Sequence, residues 1–156
     1  MSLLFGDKQI FAIELASDED LIGGVGRVLL WLGGEYVGTF DDTSIHSLVL
    51  AQLKSVFSKR LDGDYLRGEA VCQMYDLIKS EKIEGAGQYF LSLGDSFDDF
   101  SIVVFLKGEE VVFLWKLLDK PFFEYKNYPE GLQCSIIPAA FFSKVLSDFG
   151  SSRPLR

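Results

Sequence analysis

Asp95, Asp98 and Asp99 are the residues of this chain whose type and spacing come closest to chemistry. Carboxylates this close can hold a hard cation, or push each other's pKa values apart so that one serves as acid and its neighbour as base. The same turn, Gly94-Asp95-Ser96-Phe97-Asp98-Asp99, is also what hairpin connections favour, because Asp and Ser hydrogen-bond to their own backbone. No histidine, cysteine or basic residue lies near it in sequence to activate a substrate or a water. A metal-dependent enzyme and a solvated acidic turn are therefore both open readings of these letters.

The remaining chemical candidates are weaker. Asp62-Gly63-Asp64 resembles the start of a calcium loop, but Leu66 and Arg67 stand where an oxygen ligand and a sharp-turn glycine are required. Gly23-Gly24-Val25-Gly26 suggests a dinucleotide fingerprint, but Leu29 replaces its last small residue and a strand follows where a helix is needed. A glycine turn or bulge opening a strand explains the same residues. His46 is the single histidine and falls on the apolar side of a helix, as a partly buried, hydrogen-bonded histidine would. Ser143 and Ser147 have no nucleophile elbow around them. Cys72 and Cys134 are distant and form no Cys-x-x-Cys, so two reduced thiols and no bound cofactor are expected.

Bulk properties bound the partners. With 156 residues, 48% of them hydrophobic, the chain is expected to form one domain, residues 1–156, with 1–8 and 150–156 as flexible ends. A net charge of −8 and a sequence pI near 4.6 disfavour nucleic acid and anionic membrane, whose phosphates such a field repels, and favour basic proteins. No apolar run approaches the roughly 20 residues needed to cross a bilayer, and no basic, apolar leader opens the chain, so a cytoplasmic protein is expected.

The elements that must position these residues read as follows. Gln9–Ala16 alternates around Phe11, Ile13 and Leu15 as a strand, with Glu14 on its other face. Gly26–Leu32 and Glu35–Phe40 flank Gly33-Gly34, a two-residue connection suited to a primed hairpin turn. Asp41-Asp42-Thr43-Ser44 offers capping oxygens and negative charge to a helix carrying Ile45, Val49, Leu53 and Val56 on one face. A second helix over Glu69–Ser80 is expected on the same sheet face as the first. A strand over Gln88–Leu93, a hairpin of Phe100–Leu106 and Val111–Leu118 around Lys107-Gly108-Glu109-Glu110, and a strand over Leu132–Ile137 follow. Pro138 suits the first turn of a last helix whose apolar face holds Phe141, Phe142, Val145, Leu146 and Phe149. Trp31 and Trp115, central in the two hairpins, read as core; Tyr125 and Tyr128 read equally as core or as interface anchors. Hairpins interrupted by helices predict an α+β fold, mainly one antiparallel sheet of about six to seven strands with two central helices and a C-terminal helix.

Phe11-Ala12-Ile13-Glu14, the run Gly26-Arg27-Val28-Leu29-Leu30-Trp31-Leu32-Gly33-Gly34-Glu35-Tyr36-Val37-Gly38, and Phe97-Asp98-Asp99-Phe100-Ser101-Ile102 before the strand ending at Trp115 resemble the immunity protein 42 family of bacterial polymorphic toxin systems. The resemblance spans about Phe11 to Phe149. It implies a small cytoplasmic protein that binds and neutralises a cognate toxin domain, with no catalytic residues of its own. Acidic charge suits that role, since it speeds encounter with a basic toxin and penalises wrong partners. Charge then nominates the contacts: Asp41, Asp42, Asp95, Asp98, Asp99, Glu109 and Glu110, with Tyr125 and Tyr128 as anchors. The competing expectations are a metal-dependent enzyme at Asp95, Asp98 and Asp99, and a structural or adaptor module that self-associates, as a homodimer, through a strand edge or the C-terminal helix.

Overall fold

A computed structural model describes residues 2–61 and 71–152. Phe11, Ile13 and Leu15 alternate as expected and form β2 (Phe11–Leu15), which pairs on one side with β1 (Leu3–Asp7) and on the other with β4 (Val28–Leu32). β5 (Glu35–Val37) completes this four-stranded antiparallel sheet, joined to β4 by the two-residue turn Gly33-Gly34. Both turn glycines have positive φ, 60° and 93°, the backbone that a primed turn demands and that side chains resist. Residues 1–8 had been expected as a flexible end, yet Leu3–Asp7 pair along their whole length as β1.

β3 (Val25–Gly26) pairs with β6 (Ser44–Ile45) as a two-residue ribbon, and α1 (His46–Lys54) follows directly. The expected capping role of Asp41, Asp42, Thr43 and Ser44 is therefore corrected: Ile45 is the N-cap, with no side-chain cap hydrogen bond. Pairing with Val25 and Gly26 holds Ser44 and Ile45 extended, and that long-range bond outweighs the local capping preference. His46 is buried, its ring edge-on to Phe149 at 5.8 Å.

The longest strands are β7 (Phe100–Lys107) and β8 (Glu110–Leu117), paired in full register from Phe100↔Leu117 to Lys107↔Glu110, with β9 (Gln133–Pro138) on the outer side of β8. Pro138 ends β9 and α3 (Ala139–Ser152) begins one residue later, so the proline precedes the helix instead of lying in its first turn. Pro138 lacks an N–H, and on an edge strand that group would face no partner. The helix reaches Ser152, into the segment expected as a flexible C-terminal end.

β7 and β8 are apolar on both faces because both faces are covered. Ile102, Val104, Val111, Phe113 and Trp115 face a large core shared with Phe11, Ile13, Leu15, Val28, Leu30, α1 (Val49, Leu53) and α3 (Phe142, Val145, Leu146, Phe149). Val103, Phe105, Val112 and Leu114 face a smaller core with Leu61, Ile83, Tyr89 and α2 (Met74–Lys79), which presents Met74, Tyr75 and Ile78. The two central helices thus lie on opposite faces of this sheet, where the sequence reading placed them together. α2 is also shorter than expected, being preceded by a 3₁₀ turn at Val71–Gln73. Residues 62–70, including Asp62, Asp64 and the expected start of the second helix, lie outside the described residues.

Gln88–Leu93, expected as a strand, is a 3₁₀ turn (Ala86–Tyr89) and an extended piece that touches β7 through a single bridge, Phe90↔Val103. The fold is α+β, with nine strands in three antiparallel sheets among the described residues where one sheet of six to seven was expected. The large core runs across both halves of the chain: Phe11 of β2 meets Phe142 of α3 with ring centroids 4.7 Å apart and Phe113 of β8 at 6.2 Å. Each such buried ring contributes about 1.5–3 kcal/mol of hydrophobic stabilisation before entropy is charged against it.

Candidate functional site

Gly94 opens the acidic turn at φ 112°, and Asp95–Phe97 form one 3₁₀ turn leading into β7. The turn is braced against the first half of the molecule at three points. The Thr39 N–H donates to the Ser96 carbonyl at 3.0 Å, the Ser44 and Ser96 hydroxyls share a short buried hydrogen bond, and the Phe97 ring packs where Gly38 has no side chain. Gly38 has φ 106°, and a Cβ placed on it would lie 2.7 Å from that ring. These contacts bring Asp42, remote in sequence, to Asp95, Asp98 and Asp99 around one cavity of about 280 Å³ that Phe122 and Phe123 complete.

The four aspartates are not alike. Asp99 is buried, and both its carboxylate oxygens are occupied: Oδ1 accepts from the Phe122 N–H at 2.7 Å, and Oδ2 accepts from the Phe123 N–H and the Tyr125 hydroxyl, each at 2.9 Å. Burial would raise its pKa, but these three donors outweigh burial and hold it below the ordinary carboxylate value. Asp99 is thus a clasp for the 122–125 loop. Asp98 is exposed, yet its pKa is raised, first by desolvation and then by Asp95, Asp99 and Asp42. Asp95 is exposed and Asp42 half-buried at the same rim. Both Asp99 oxygens are committed to donors, which weighs against the alternative reading of Asp95, Asp98 and Asp99 as a metal set. Among the described residues no group of three or more His, Cys, Asp or Glu side chains is placed to hold a metal ion.

Asp41 faces a neighbouring hollow of about 270 Å³, lined also by Trp31, Tyr36, Glu124 and Tyr125. Glu109 and Glu110 lie at the opposite end of the β7–β8 hairpin, about 25 Å away along strands of eight residues rising ~3.4 Å each. Their exposed side chains do not join the cavity, although the Glu109 carbonyl accepts from the Ala139 N–H at the start of α3.

Tyr125 and Tyr128 are half-buried against the large core, with their hydroxyls bound inside the molecule. The Tyr128 hydroxyl donates to the Tyr36 carbonyl at 2.6 Å and accepts from Trp115 Nε1–H at 2.9 Å, joining β8 to β5. Its ring and that of Tyr125 pack against Phe100 at 5.3 and 5.2 Å. Burial pushes both phenols far above their ordinary pKa, with the Asp99 carboxylate adding to the effect at Tyr125, so both keep their protons and donate.

The aromatic that does face solvent is Phe122, 85% exposed at the mouth of the acidic cavity, its ring edge-on to Phe123 at 4.9 Å. The sequence carried only a weak signal for it, two adjacent phenylalanines after Pro121 in a loop. A second missed feature is Asp20, buried and bound by Arg27 through Nε–H and Nη2–H donors, Nη2 at 2.7 Å from Oδ2. Gly26 allows this approach, since a Cβ there would lie 2.3 Å from the Asp20 carbonyl oxygen. The glycine run thus opens β3 and seats Asp20, in keeping with a turn and not a dinucleotide loop.

Comparisons with known proteins agree with this architecture. The crystal structure of CdiI from Burkholderia dolosa AUO158 superimposes with a TM-score of 0.63 over 96% of this chain and 99% of that one, at 13% sequence identity, a likeness of fold. Among curated proteins nothing matches the chain. The model of the family described as Immunity protein 42 matches residues 1–152, nearly the whole chain, and on that match the chain belongs to the immunity protein 42 family.

Proposed function

We propose that this protein neutralises a cognate bacterial toxin domain by binding it, without a reaction of its own, in the cytoplasm of the cell that makes the toxin. Membership of an immunity protein family is the observation that carries this reading. The neighbour of like fold is itself a CdiI. The net charge of −8 suits a basic toxin, and no helix among the described residues is long and apolar enough to cross a membrane. The contact face in this reading is the rim formed by Asp41, Asp42, Asp95 and Asp98, with Phe122 replacing Tyr125 and Tyr128 as the aromatic anchor. Asp99, Tyr125 and Tyr128 act behind that face by holding it in shape. Glu109 and Glu110 would require a second, separate contact.

The experiment is a calorimetric titration against a cognate toxin domain, to be sought as the C-terminal domain of a large secreted protein encoded by a neighbouring gene, paired with a growth assay of cells expressing that domain. Nanomolar binding together with restored growth is the expected result. Absence of both would overturn the proposal.

A further inference from the structure

Val25 and Ile45 face each other directly across the β3–β6 ribbon, so their side chains project on one side, and each is 50% exposed. Leu48, 38% exposed, follows one turn later on α1. Together with Thr43, Ser44, Gly94 and Asp95 they line a groove of about 210 Å³. Asp95 lines this groove and the acidic cavity alike, so the apolar groove and the anionic cavity adjoin at that residue. Among the described residues no lysine or arginine lines either hollow. Such an arrangement, apolar centre beside unpaired charge with an exposed aromatic at the edge, is the anatomy of a recognition surface.

We infer that this composite groove, Val25, Ile45 and Leu48 continuing through Asp95 to Asp98 and Phe122, receives from the toxin domain a lysine or arginine carried next to an apolar side chain. The inference rests on the immunity reading above and deepens it. Charge complementarity selects the occupant. The aspartates at this rim repel one another, and an entering cation relieves that repulsion while the Phe122 face adds a cation–π contact. A second copy of this chain would instead press aspartates against aspartates on molecules that each carry −8, which disfavours the face as a dimer interface. An apolar residue beside the cation would cover Val25 and Ile45 and exclude water from the ion pair, which strengthens it.

The test uses the full chain and the same secreted-protein domain, by calorimetry, with Asp95→Lys, Asp95→Asn, Ile45→Asp and the double variant Glu109→Lys/Glu110→Lys at the far hairpin end. The substituted side chains are exposed, and an unfolding midpoint for each variant checks that the fold is kept. The expected result is a loss of roughly 30-fold or more for Asp95→Lys, a smaller loss for Asp95→Asn, and roughly 10-fold for Ile45→Asp. The far-end variant should bind as the unsubstituted chain does. Tight binding left unchanged by Asp95→Lys and Ile45→Asp would overturn this inference and leave the immunity reading standing. No binding by the unsubstituted chain would overturn both. Self-association in light scattering that Ile45→Asp abolishes would also overturn it, by giving the groove to a second copy.

Discussion

Neighbouring aspartates in this molecule do opposite work. Asp99 is a buried acceptor of three hydrogen bonds, so Asp99→Asn, which removes the charge and turns one oxygen into a donor, should cost about 3 kcal/mol in chemical denaturation. Asp98 has the reverse sign. Its folded pKa lies above the unfolded value, so its ionised form is disfavoured in the folded state; stability is lost as pH rises from the unfolded pKa through the folded one, and the loss is complete above it. Asp98→Asn should therefore raise the melting midpoint at pH 7 and leave it unchanged near pH 3. Asp20 behaves as paired carboxylates do: Arg27 hydrogen bonds hold its pKa at about 2, against an ordinary 3.8. Its contribution is complete above pH ~4 and is lost as pH falls toward 2, and an Asp20→Asn chain should show a flatter acid limb in the same titration.

At the scale of elements, Gly38 is the joint on which the acidic turn depends. Its φ of 106° and the Phe97 ring at the position of a Cβ predict that Gly38→Ala loses about 1–3 kcal/mol from backbone strain alone, read from the denaturation midpoint. The elements most legible in sequence were those whose causes are local. Gly33-Gly34 sets a two-residue turn with its own backbone, and alternating apolar residues mark β2, and near-continuous apolar runs β7 and β8, without reference to anything distant. Illegible elements had remote causes. Ser44 and Ile45 are extended because Val25 and Gly26 pair with them, and Gln88–Leu93 fails as a strand because only Phe90 and Leu91 reach β7. The same distinction governs the site. Asp95, Asp98 and Asp99 could be nominated from spacing, but no periodicity announces that Asp42 joins them, that Asp99 turns inward, or that Phe122 stands 85% exposed at the mouth of the cavity.

For the whole molecule, charge governs encounter more than final affinity. An acidic face on a chain of net −8 should steer a basic partner, so raising salt from low to several hundred millimolar should slow association by tenfold or more while dissociation changes little. Stopped-flow kinetics would check this, and association rates independent of salt would contradict it. The acidic turn leads directly into β7, a strand covered on both faces.

The bracing of the turn carries a consequence in time. The β7–β8 hairpin can close from neighbouring residues alone, but the Tyr128 hydroxyl reaches back to Tyr36, and the cavity needs Asp42, Asp95 and Phe123 together. On a ribosome the surface is therefore absent until the segment after β8 has emerged, however well the earlier strands have folded. A chain stopped short of that segment would lack the Phe122–Phe123 wall of the cavity, and with it the core residues that β9 and α3 supply.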